Sequence, residues 1–180
     1  MTISLLPIDI RGRERGEFVR FMTRSVFEFH SVPRPVEARI EEAIDAGSFD
    51  GDDHEAFWID TDEYGRVGTA VLNDLVDDGP VFDLRLASRY RGLGIGTAAL
   101  VALTAHVFET RQGVSRFEGQ TRDDNLAMRK AFLKAGFVKE AHHREAWPVE
   151  GGEPRASVAY AILRRDWQTG TTTPVRWEDL

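Results

Sequence analysis

This sequence predicts an α/β protein with one long central sheet and helices on both of its faces, and three observations carry that reading. Segments of strand periodicity alternate with segments of helical periodicity along the whole chain. No repeat, low-complexity stretch or internal linker breaks the alternation, so one stack of layers accounts for it. The length of 180 residues suits a single domain, and about two-thirds of such a chain's surface can be buried without covalent staples.

The elements follow in order. Ile3–Ile8 reads as an opening strand. Phe18, Phe21, Met22, Ser25, Val26 and Phe29 recur at helical spacing and give one apolar face. Pro33 and Pro35 punctuate, and Val36, Ile40, Ala43 and Ile44 mark a second helix that Gly47 stops. Phe57–Ile59, a turn at Asp62–Gly65 and Val67–Leu72 form a hairpin. Val81–Leu86 is a strand with Phe82, Leu84 and Leu86 on one face and Val81, Asp83 and Arg85 on the other. Gly94–Arg111 is apolar nearly all round and predicts a deeply buried helix. Gly113 precedes the strand Ser115–Thr121. Asp123 and Asp124 then stand where the dipole of a helix over Asn125–Ala135 favours acids, and Gly136 ends that helix. Strands over Val138–Ala146 and Ala156–Leu163 flank the loop Pro148–Pro154. The domain is expected to span residues 1–167, followed by a polar tail over 168–180 that Trp167 and Trp177 could anchor.

Composition removes several classes. Without cysteine there is no disulfide scaffold, thiolate nucleophile, Cys-ligated zinc or iron–sulfur cluster. Met1–Arg11 lacks the pattern of a secretory signal, and no apolar run reaches the length of a membrane span, so a cytoplasmic protein without a membrane partner is expected. The net charge of −7 argues against nucleic acid as a partner. That charge is uneven: residues 41–83 hold 14 acidic side chains against Arg66 alone. No metal site is expected. His142 and His143 are adjacent and point to opposite faces of a strand. The acidic surroundings of His54 fail the calcium-loop spacing. A serine-hydrolase elbow is also absent, since Gly113-x-Ser115-x-Phe117 lacks its second glycine.

The most informative stretch is Arg91-Gly92-Leu93-Gly94-Ile95-Gly96-Thr97, which links a strand to the apolar helix. Glycines admit positive φ and close backbone approach, and a helix start offers unpaired N–H groups. Together they suit an anion such as a pyrophosphate, with Arg91 adding charge. A dinucleotide fingerprint fits poorly because Ala87–Arg91 separates the strand from the glycines, and a Walker loop lacks its Gly-Lys-Ser/Thr. About thirty residues on, Asn125 opens a helix that closes at Gly136-Phe137; alone, Asn125 reads as a helix N-cap.

Taken together, Arg91-x-x-Gly94-x-Gly96 and the run from Asn125 to Gly136-Phe137 resemble the two signature motifs of the Gcn5-related N-acetyltransferases (GNAT). Gly136–Glu145 and Tyr160–Arg164 are similar to the ribosomal-protein N-terminal acetyltransferase (RimJ/RimL-like) branch. The resemblance implies a single-domain α/β (α+β) fold whose central sheet is mixed, mostly antiparallel and splayed. It implies acetyl-CoA as co-substrate, held by Arg91, Gly92, Leu93, Gly94, Ile95, Gly96 and Thr97, with Leu84 and Leu86 pairing with the pantetheine arm and Asn125 reaching it from the side. The reaction implied is direct attack of an amine on the thioester.

Two departures stand out. Many members carry a proton-donating Tyr where this chain has Phe132, and related proteins of the branch often carry an acid where Ser157 stands. A thiol with a pKa of about 8.5 is a fair leaving group without a donor. If its departure limited turnover, Phe132→Tyr would raise the rate. For the general base that a protonated amine requires, Glu118 and Glu145 are the candidates on neighbouring strands. The acceptor is expected to be a peptide N-terminus or small cationic amine, drawn by the acidic stretch; a homodimer is left open. The rival reading is an acyl-CoA-binding sensor or regulatory module without turnover, which Phe132 favours.

Overall fold

The computed structural model describes residues 1–177. Seven strands form one sheet in the order β1 (Ile3–Pro7), β2 (Glu55–Thr61), β3 (Gly65–Asn73), β4 (Val81–Leu86), β5 (Arg116–Arg122), β7 (Arg155–Leu163) and β6 (Val138–Trp147). Neighbours are antiparallel except β4 and β5, which run parallel. The helices are α1 (Arg15–Arg24), α2 (Glu37–Asp45), α3 (Ile95–Thr110), α4 (Leu126–Lys134) and α5 (Arg164–Thr169). The expected mixed, mostly antiparallel sheet is present, and so are the hairpin and the glycine stops, with Gly47 at φ +81° and Gly136 at φ +87°.

Side-chain alternation in β2 explains the layers. Phe57 and Ile59 point into a core shared with Ile95, Leu100, Leu103 and Val107 of α3 and Phe132 of α4. Trp58 points the other way, among Phe18 and Met22 of α1 and Ile40 and Ile44 of α2. The buried indole N–H of Trp58 donates to Glu14 at 3.1 Å, and Arg66 lies over the ring at 5.0 Å. Arg164 closes the far end of α3, donating to the carbonyls of Phe108, Arg111 and Val114 at 2.6–2.7 Å. A cation is favoured there by the helix dipole.

Three expectations are corrected. α1 ends at Arg24, because Ser25 turns extended (φ −106°, ψ 149°), so Val26 and Phe29 fall in a loop and Phe27 is the buried residue. α3 is not buried all round: it lies on the sheet with an outer side open, where Val101 is 48% exposed beside half-buried Ala98, Ala102 and Ala105. Trp167 packs on Phe108 at 5.4 Å, whereas Trp177 is 62% exposed. α5 crosses residue 167, and the chain beyond it is tied by buried Asp166, which accepts the Thr173 N–H at 2.9 Å and hydroxyl at 2.7 Å.

Phe132 stacks on Tyr160 (4.6 Å, 3°) and packs beside Phe82 and Phe137. Gly119 sits under this group because a Cβ there would come within 2.6 Å of Phe82 and 2.9 Å of the Phe132 ring tip. Phe132 is fully buried, so the fold gives position 132 a packing role rather than room for a proton donor. Phe132→Tyr should therefore lower unfolding stability by about 1–3 kcal/mol, the cost of a buried unmet hydroxyl, in urea denaturation. Its turnover should not exceed that of the parent protein.

Candidate active site between strands β4 and β5

β4 and β5 touch once. The Glu118 N–H donates to the Pro80 carbonyl at 3.2 Å, and Val81 opposite Glu118 is their single register pair. Beyond it the strands part. Backbone groups alternate in direction along a strand, so past the Val81–Glu118 pair those of Leu84 and Leu86 point into the gap while β3 pairs with the other edge. The Leu86 carbonyl is met by the Arg91 guanidinium at 3.1 Å, which leaves Leu84 as the open backbone pair.

The gap widens into a cavity of about 690 Å³ walled by the end of β4, the glycine loop, the start of α4 and the loop after α1. Gly92 (φ +78°) and Gly94 (φ +83°) take left-handed conformations, and Gly94 opens α3 without any side-chain cap. The first helical bond runs from the Ala98 N–H to the Gly94 carbonyl, so the N–H groups of Ile95, Gly96 and Thr97 have no partner within the helix. Arg85, Arg91, Lys130 and Lys134 line the cavity against Glu28 alone. A helix start, glycine backbone and four cations fit a phosphate-bearing chain such as that of coenzyme A.

The loop over residues 25–30 is strapped across this cavity by arginines. Arg91 donates to the Val26 carbonyl at 2.6 Å, and Arg122 to the Glu28 carbonyl at 3.1 Å. Arg85 and Arg91 lie over Phe27, and Arg122 over Phe29. A second cavity of about 420 Å³ opens on the α1/α2 side of the sheet, with Asp83 and Arg85 in its wall. Arg85 lines both cavities and Asp83 the smaller one, so the two cavities share a wall at Arg85. Asp83 is held by Arg85 through two bonds (2.9 and 2.7 Å) and by His30 Nε2 at 3.2 Å. Burial opposes its ionisation, but the His30 hydrogen bond and the Arg85 charge outweigh that and hold it well below the usual carboxylate range.

Leu84, Leu86, Arg91, Gly92, Gly94, Gly96, Thr97 and Asn125 come together on the larger cavity. Leu93 points outward at 51% exposed, and Ile95 is buried in the core, so of these two only the backbone can serve the site. Asn125 acts as the N-cap of α4, accepting from the Met128 N–H at 3.2 Å and donating to Thr121 at 3.0 Å. Glu118 pairs with Arg116, which also holds Glu140 at 3.0 Å, and it lines neither cavity. Glu145 is exposed on edge strand β6, at φ +54° in an irregular stretch, and lines neither cavity. Sequence reasoning missed Lys130 and Lys134, whose one-turn spacing on α4 was readable, and His30, which no local pattern marks.

A sheet opened between parallel strands, with a cationic cleft at a helix start, is the frame of an acyl-CoA-dependent transferase. The sequence profile of the acetyltransferase (GNAT) domain matches residues 10–138. Comparison with curated proteins gives no match. Among solved structures, a chimera of Vibrio cholerae spermidine N-acetyltransferase SpeG and hSSAT superposes with a TM-score of 0.78 at 15% identity, covering 93% of this chain and 99% of that one. The Vibrio cholerae spermidine N-acetyltransferase in complex with CoA and spermine gives 0.77 at 14%, covering 93% and 98%. RimL, a ribosomal L7/L12 alpha-N-protein acetyltransferase in complex with coenzyme A, gives 0.73 at 16%, covering 91% and 94%. The chain belongs to the GNAT family of acetyltransferases. It is an acetyl-CoA-dependent enzyme that transfers acetyl to an amine. Among the described residues no group of His, Asp and Glu could hold a metal ion, and no helix is long and apolar enough to cross a membrane.

The depressed ionisation of Asp83 has a stability signature. Its contribution is complete above the unfolded aspartate value of about 3.9 and is lost as pH falls below it. Asp83→Asn should be less stable than the parent at pH 5, and the difference should shrink steadily toward pH 2 in parallel urea titrations.

Proposed function

We propose that acetyl-CoA lies with its pyrophosphate at the start of α3 and its pantetheine along the open edge of β4, and that the acceptor is the α-amine of a peptide or protein N-terminus entering through the smaller cavity. Bound acetyl-CoA supplies the activated thioester. In this reading the N–H groups of the first turn of α3 and the cations Arg91, Lys130 and Lys134 hold the phosphates. The Leu84 backbone aligns the arm, and Asn125 supports it from the α4 side. N–H donors at the gap steady the carbonyl oxygen as charge develops there.

The observation that carries the acceptor reading is the lining of the smaller cavity. Its walls are apolar (Met22, Val32, Pro35, Ile40, Phe49 and Val71), and its charged groups are Arg39, Arg85 and Asp83. Five of the 14 acids of residues 41–83 are engaged elsewhere in ion pairs. Glu41 and Asp45 pair with Arg15, Asp50 with Arg11, Glu42 with Arg39, and Glu55 with His106 and Arg111. Of these acids only Asp83 lines the cavity, and Arg85 and His30 already hold it. A polyamine would bring several charges to a wall with two arginines and one neutralised acid. A peptide N-terminus brings one amine and an apolar first side chain that these walls accept.

Thiol release from acetyl-CoA, measured with peptides of differing first residue and with spermidine, tests this. Peptides with an apolar first residue should exceed spermidine in kcat/KM by at least tenfold, with little dependence on salt. Preference for spermidine that fades as salt screens charge would instead assign the acceptor to the polyamines. The donor side has its own test in Gly96→Ala. The nearest atom to a Cβ there is Leu86 Cδ1 at 3.7 Å, so the fold accepts the methyl. Stability should hold or rise by up to about 1 kcal/mol from helix propensity. Coenzyme A affinity by calorimetry should fall about tenfold, and unchanged affinity would remove this loop from the site.

A further inference from the structure

We propose that His30 is the catalytic base that takes the proton from the incoming amine, with Asp83 and Arg85 as its positioning residues. The proposal rests on the amine-acetylation reading given above. His30 stands in the wall of the larger cavity, Asp83 in that of the smaller, and Arg85 in both, so the three residues occupy the junction where thioester and amine would meet.

The tautomer follows from the partners. Asp83 accepts two bonds from Arg85, and an ionised carboxylate has no proton to give. At 3.2 Å from Asp83, His30 Nε2 must therefore carry the hydrogen. Neutral imidazole then presents a bare lone pair at Nδ1. That atom is buried and has no hydrogen-bond partner, and the same is true of Nη1 of Arg85, the other residue bonded to Asp83. Phe27 packs edge-on to the imidazole at 5.6 Å and under the Arg85 guanidinium at 4.8 Å, which fixes the ring between them. Buried polar atoms without partners are uncommon, and two at one junction point to a ligand that completes them.

The other histidines are not candidates. His54 bonds to Asn73 and His106 to Glu55, while His142 and His143 are exposed on β6, and none lines either cavity. Asp83 bonds His30 directly, and the other charged groups in the wall of the same cavity are Glu28 on its own loop, Arg85 on β4, Arg91 from the glycine loop, and Lys130 and Lys134 from α4.

In the step itself the ammonium gives one proton to Nδ1. The freed nitrogen lone pair forms the C–N bond to the thioester carbonyl carbon. The C–S bond breaks with its electron pair going to sulfur, and the second proton leaving nitrogen neutralises that thiolate. Imidazolium then returns its proton to water, so the products are amide, thiol and one proton.

The test compares the full-length protein with His30→Ala and His30→Gln, the latter keeping a donor toward Asp83. Acetyl-CoA binding by calorimetry should stay within about threefold of the parent in both, while kcat near neutral pH falls by ~10²–10⁴. The deficit should narrow as pH rises toward the amine's own pKa, because a neutral amine needs no base, and added imidazole should restore part of the rate to His30→Ala. Nitrogen-15 NMR of the free protein should show the Nε2–H tautomer for His30, and Asp83→Asn should disturb it. Activity of both variants within threefold of the parent, a loss matched by lost acetyl-CoA binding, a deficit independent of pH, or an Nδ1–H tautomer would each overturn the assignment of His30. A parent protein that releases no thiol with any amine would instead overturn the acetylation reading and this proposal with it.

Discussion

The parting of β4 from β5 is the constraint on which the rest of the site depends. A strand in the middle of a sheet normally spends its backbone groups on two neighbours, and β4 has one neighbour along most of its length. Polar backbone groups facing inward without partners are costly. The structure meets that cost in pieces. Arg91 takes the Leu86 carbonyl, the loop after α1 roofs the gap, and the remaining groups at Leu84 are open to a ligand. The larger cavity is lined both by Leu84 and Leu86 and by Arg85, which lie on opposite faces of β4, so the opening reaches both sides of the sheet.

Arginine is the residue that makes this opening stable. Arg85, Arg91 and Arg122 come from the middle of β4, the glycine loop and the end of β5, and all three reach the short loop over residues 25–30. A planar guanidinium can bond carbonyls at its edge and cover an aromatic face at once, which is how Phe27 and Phe29 are held. Arg91 is thus structural as well as cationic. The motif alone does not disclose its bonds to the Leu86 and Val26 carbonyls.

How much was legible in the sequence follows the range of the interactions. The layers, the hairpin, the glycine loop and the N-cap at Asn125 depend on neighbours within a few residues, and they could be read directly. The extent of the first helix could not, because Val26 and Phe29 keep helical spacing while tertiary bonds to Arg91 and Arg122 draw the chain into a loop. α3 was over-read as buried because alanines and a valine on its open side look the same as core residues in a one-dimensional pattern. The junction of His30, Asp83 and Arg85 was invisible for a related reason. His30 and Asp83 lie 53 residues apart, and the acids beside Asp83 in the chain suggested a charged surface rather than a buried pair. In the sequence Glu118 and Glu145 stand out only by their strands, and the fold gives one to an arginine and the other to solvent.

The strapped loop also bears on how the protein folds. Its bonds close over separations of 65 residues to Arg91 and 94 residues to Arg122. Closing such long stretches early costs chain entropy that few contacts yet repay. The β2–β3 hairpin is local and can form before bonds of such span. Damage to the arginine straps would then speed unfolding more than it slows folding.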